Sequence, residues 1–88
     1  MFGRGRMKKN TFHGKKVLVV GLGRFGGQIA AARWLAGLGA TVTVTDLAPA
    51  EKLAESLAQL SDLTIRYRLG GHDESDLDGC DLLVVFSE

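Results

Sequence analysis

Cysteine is almost missing from this 88-residue chain. Cys80 stands alone, which excludes an internal disulfide and any multi-cysteine metal site. It is expected to serve as a small apolar residue just before the last strand. Long hydrophobic runs are missing too. No apolar stretch approaches the roughly 18 to 20 residues of a membrane span, and no apolar core follows the basic first residues as a signal peptide requires. A cytoplasmic protein without a membrane partner is expected. Two catalytic signatures are also absent. There is no Gly-x-x-x-x-Gly-Lys-Ser/Thr loop for a triphosphate and magnesium, and no Ser-His-Asp or Cys-His pair in a workable setting. The chain by itself is not expected to catalyse.

An excess of one charge is lacking as well, with eleven basic and ten acidic side chains. Four of the eleven, Arg4, Arg6, Lys8 and Lys9, fall within residues 1–13, which hold no acid. The remainder is net negative, so no broad positive field exists to attract nucleic acid. Residues 1–13 read as a disordered basic tail or a remnant of cloning, with Met7 a second candidate start. Residues 14–88 read as one small domain.

Glycine, by contrast, is plentiful at twelve residues. Val17 to Val20 form a β-branched and leucine run that reads as a buried parallel strand. It ends in Gly-x-Gly-x-x-Gly at Gly21, Gly23 and Gly26, and a helix is expected from about Gly26 to Leu38. Gly21 permits the tight turn, Gly23 lets phosphates approach the backbone, and Gly26 lets helix and strand pack closely. The helix start offers unpaired N–H groups and a positive dipole end to an anion. This is the pattern of a nucleotide diphosphate site. Dinucleotide enzymes, nucleotide-sugar binders and regulatory sensors share it, so the residues leave NAD and other nucleotides open.

On the helix, Ala31, Leu35 and Leu38 mark an apolar stripe, Arg33 faces water and Trp34 packs at the stripe's edge. Gly39 is the natural left-handed cap. A second strand, Thr41 to Thr45, stops at Asp46, twenty residues past Gly26. An acid there suits ribose or base polar groups, or else a turn or cap aspartate. Pro49 suits the first turn of a helix over Ala50 to Leu60, with Leu53, Leu57 and Leu60 inward. Leu63 to Leu69 alternate as an edge strand. After Gly70 and Gly71, His72 reads as a turn residue, and Asp73 with Asp76 as the start of a short helix rather than a metal cluster. Asp81 to Phe86 is a last strand, buried in character. The expected fold is α/β, with a four-stranded parallel sheet in order 3-2-1-4 and helices on its faces.

The wording from Gly14 to Arg24 resembles the opening of the Mur ligase family. The likeness continues through Ala31–Ala36 and Gly39–Asp46, then resumes at Leu69–Asp73 and Asp78–Val85, covering nearly all of 14–85. It implies a Rossmann-like three-layer first domain that holds UDP rather than NAD. Gly21, Leu22, Gly23, Arg24, Phe25 and Gly26 would cradle the diphosphate, with Asp46 and Leu47 approaching the uridine. The implied substrate is UDP-N-acetylmuramoyl-L-alanine. ATP and magnesium would belong to a central domain, and the amine of D-glutamate would attack an acyl-phosphate with a third domain closed over it. This sequence departs from the family in three ways. Phe25 replaces a frequent Ser or Thr, so binding would rest on backbone N–H groups and Arg24. Gly27-Gln28 lengthens the turn by about two residues. The Pro-containing loop that completes the uridine pocket, and both further domains, lie outside the chain.

Overall fold

The computed structural model describes residues 12–22 and 27–85. Its elements in chain order are β1 (Lys16–Val20), α1 (Gly27–Gly37), β2 (Thr41–Asp46), α2 (Ala54–Gln59), β3 (Arg66–Leu69) and β4 (Leu82–Val85). Short 3-10 turns occupy Ala50–Lys52 and Glu74–Leu77. The four strands form one sheet in the order β3-β2-β1-β4, and every pairing is parallel. This is the expected α/β topology.

Pairing register decides which side chains share a face. Val17 lies beside Val42, and Val19 beside Val44. These four valines form the core with Ile29, Ala32 and Leu35 of α1 and with Leu53 and Leu60 around α2. Both α-helices therefore cover one face, as right-handed crossovers require when β2 and β3 are added on the same side. The link from β3 to β4 passes back beneath the sheet. Its Asp76 pairs with Arg68, whose strand neighbour is Thr45 on the other face.

Local chemistry fixes the ends of the elements. α1 closes in a Schellman motif: Ala40 N–H donates to Leu35 O (3.2 Å) and Gly39 N–H to Ala36 O (3.1 Å). Gly39 takes φ +92° there, a conformation that costs a side chain energy. The buried face of α1 is Ile29, Ala32 and Leu35, while Ala31 is only half-buried. Leu35 and Leu38 of the expected stripe are buried, and Ala32 takes the place expected of Ala31, since two neighbouring alanines give the pattern no edge. Trp34 is 55% exposed and does not pack as expected.

The helix expected over Ala50 to Leu60 is instead a 3-10 turn and α2, divided at Leu53 (φ −111°, ψ 11°). Leu53 and Leu60 are buried all the same. β3 is shorter than the alternation predicts. Leu63 N–H is held by Leu60 O at 3.0 Å, and the ladder with β2 starts only at Arg66. β4 departs most. It is an edge strand, with Leu82, Leu83 and Val85 at 38%, 46% and 61% exposure. An apolar run reports apolar character on both faces, but it cannot report whether a layer covers them. The basic tail also gives up its last residues. Phe12 packs against the core and donates its N–H to Leu38 O (3.0 Å), while residues 1–11 lie outside the described ones, as does Phe86.

Candidate functional site

The crevice of an open parallel sheet lies at the carboxyl ends of its strands, where the winding reverses. Here β1 lies between β2 and β4, so its end is that point. Gly21 leaves β1 at φ +88°, and a Cβ built on it would meet no atom of the described residues within 4 Å. Its N–H donates to Thr45 O at 2.7 Å. Leu22 is fully buried. Gly23, Arg24, Phe25 and Gly26 lie outside the described residues, and Gly27 opens α1.

Asp46 ends β2. One carboxylate oxygen accepts the Leu22 N–H (2.8 Å) and the other accepts the Ala48 N–H (2.9 Å). The side chain thus ties the turn after β1 to the turn after β2. That geometry is a turn aspartate's, one of the two readings of the residue. Leu47 beside it is 70% exposed, an apolar surface next to the carboxylate.

Two residues at this edge escape the glycine pattern. The hydroxyl of Thr45, on a residue only 3% exposed, lies 2.7 Å from His72 Nδ1 and 3.4 Å from Gly71 O. Gly71 N–H donates to Asp46 O (3.1 Å), and Gly70 N–H to Ala48 O (2.9 Å). The Gly-Gly pair, at φ +82° and +153°, therefore folds His72 back onto the end of β2. The sequence signal was that pair, since two adjacent glycines allow a reversal that other residues resist.

The acids after His72 have local duties. Asp73 accepts the Ser75 N–H (2.9 Å) as an N-cap, which is the expected start of a short helix in 3-10 form. That N–H, and more weakly Arg68, hold its carboxyl below the usual range. Arg68 donates to Asp76 at 2.7 Å, and the contact raises the guanidinium further. Asp81 accepts the Lys16 N–H (2.8 Å), pinning the start of β1. A separate cleft of about 330 Å³ lies at the opposite, amino edge of the sheet, lined by Lys16, Leu18, Thr43, Arg66 and Asp76 among others. It is remote from the glycine turn.

Curated proteins share this sequence closely. UDP-N-acetylmuramoylalanine--D-glutamate ligase of Geobacter metallireducens is 51% identical over 72 residues, 82% of this chain. The ligase of the same name from Geobacter sp. is 54% identical over 71 residues, 81% of the chain, and that of Desulfosudis oleivorans is 40% identical over 79 residues, 90% of the chain. The chain carries a domain of the Mur ligase family. It spans 15 to 17% of the length of these three relatives. No family model matches it, and no solved structure does so significantly. Within this Mur ligase domain the fold brings Gly21, Asp46 and Gly70–His72 to one edge. Among the described residues no helix is long and apolar enough to cross a membrane.

Proposed function

We propose that this domain holds the UDP portion of UDP-N-acetylmuramoyl-L-alanine for a ligase that adds D-glutamate to it in peptidoglycan synthesis. The supporting observation is about 50% identity with that ligase over 82% of the chain. In the fold the reading is supported by β1, by Gly21 leaving it at φ +88°, and by α1. Backbone N–H groups of the glycine turn and the start of α1 receive the diphosphate, because the helix dipole and its unpaired donors favour an anion. Asp46 and Leu47 offer the uridine a carboxylate and an apolar surface.

ATP and magnesium, which the family brings to a complete ligase, do not fit here. The chain has no triphosphate loop, and among the described residues no three His, Cys, Asp or Glu side chains group to hold a metal ion. Activation of the muramoyl-alanine carboxylate by ATP and the attack by D-glutamate are assigned to further domains.

An amide-resolved NMR titration with UDP and, separately, NAD tests the reading. Shifts at Gly21–Gly27 and Asp46 with UDP but not NAD are expected, even at millimolar affinity. The same shifts with NAD alone would replace it with a dehydrogenase or sensor domain. Gly23→Val is expected to abolish UDP binding and leave the domain folded; unchanged affinity would remove the glycine turn from the mechanism.

A further inference from the structure

We propose that His72 is a nucleotide-contacting residue, held by Thr45 so that its Nε2–H donates to an acceptor oxygen of the bound nucleoside diphosphate. The inference rests on the UDP reading of this edge and adds to it a residue outside the glycine turn.

The Thr45 hydroxyl carries one proton and has two neighbours. His72 Nδ1 at 2.7 Å is well within hydrogen-bond range, and Gly71 O at 3.4 Å is at its limit. In the proposed arrangement the Thr45 hydroxyl donates to the nearer of the two, Nδ1, which then carries no proton. The proton of the neutral ring then resides on Nε2, because a neutral imidazole has one donor and one acceptor. Thr45 is buried and His72 exposed. The fixed nitrogen therefore faces protein, and the outer one, a donor, remains open to a ligand.

The backbone supports the same placement. Gly71 bridges to Asp46, and Asp46 binds the Leu22 N–H in the turn after β1. His72 is thus one residue from the junction joining the ends of β1 and β2. No atom of the described residues lies within 4 Å of a Cβ built at Gly21, Gly70 or Gly71, so among those residues the three glycines leave space along this edge. A nucleoside diphosphate there presents acceptor oxygens on phosphate, ribose and base. A donor pre-oriented by a buried hydroxyl loses little freedom on binding one of them. Thr45, which would touch no ligand, is a positioning residue.

Two amide variants separate ligand contact from a structural role. In Gln the side-chain nitrogen can stand near Nε2, whereas in Asn it stands near Nδ1. UDP affinity, read by NMR titration of the whole chain, is expected to fall about tenfold in His72→Ala and His72→Asn, and to recover substantially in His72→Gln. A purely structural histidine gives another pattern, in which Asn restores stability while all folded variants bind UDP like the parent. That pattern would overturn the inference. The imidazole ¹⁵N spectrum gives a second readout. The parent should show the Nε2–H form, and UDP should move the Nε2 resonance more than Nδ1; a ring protonated at Nδ1 alone, or unmoved by UDP, would also overturn it. Failure of the parent itself to bind UDP would fell the nucleotide reading and this inference together. Binding that survives His72→Ala undiminished would fell this inference alone.

Discussion

Asp46 carries two duties in four atoms. Its carboxylate satisfies the N–H of Leu22, a residue with no exposure, and the N–H of Ala48. Asp46→Ala leaves the Leu22 donor without that acceptor, and a hydrogen bond to a charged group contributes about 1.5–3 kcal/mol. A loss of this size is expected in urea unfolding, with faster amide exchange at Leu22; unchanged exchange would mean the bond is not kept in solution. Gly39 gives a sharper test. At φ +92° an alanine Cβ would lie 3.1 Å from the His13 Cα. Gly39→Ala is expected to destabilise by about 1–2 kcal/mol from backbone strain alone, and a thermal midpoint equal to the parent's would refute the cap. Asp46 and Gly39 were legible in the sequence because their roles follow from chain position. Thr45 and His72 were not, because a 2.7 Å contact between residues 27 apart exists only once the strands pair.

At the scale of elements, the strands and α1 were readable from β-branched runs, glycines and helical spacing. Their order followed from right-handed crossovers. What escaped was contact between elements. Arg33 was expected simply to face water, yet it spans from α1 to the turn after α2, meeting both oxygens of Asp62 (2.9 and 2.8 Å) and the Gln59 carbonyl. The side-chain hydrogen bond with Asp62 raises the guanidinium, and the reciprocal bond lowers the carboxyl. A carboxyl lowered on folding stabilises the fold above its unfolded value of about 4, and that help fades as pH falls through the folded value. Both side chains are exposed, so the contribution is small and screened by salt. In Arg33→Ala the stability difference from the parent should therefore shrink below about pH 4; a difference independent of pH would deny the ion pair any part. Burial carries the larger share. Leu60, fully buried beneath the sheet, is expected to cost about 2–5 kcal/mol as Leu60→Ala, measured by urea unfolding.

For the whole molecule, the two faces of the sheet are unequal. One is closed by α1 and α2, and among the described residues the other carries only the link containing Glu74–Leu77. Leu83 and Val85 are exposed on it, so their replacement should lose little buried area. Leu83→Thr with Val85→Thr is expected to leave stability within about 0.5 kcal/mol of the parent and to reduce concentration-dependent association. A large destabilisation would show that these side chains are covered in solution.

The position of β4 also bears on the order of assembly. β1 is an inner strand of the sheet and is made before the other three, yet its second neighbour is the last of the four to be made, with Asp81 N–H bonding back to Lys16 O at 2.7 Å across 65 positions. Translation thus supplies β1 with one flank early and leaves the other open until residues 81–85 have been made. Of the two inner strands, β1 is the one that waits longer for a full set of hydrogen bonds.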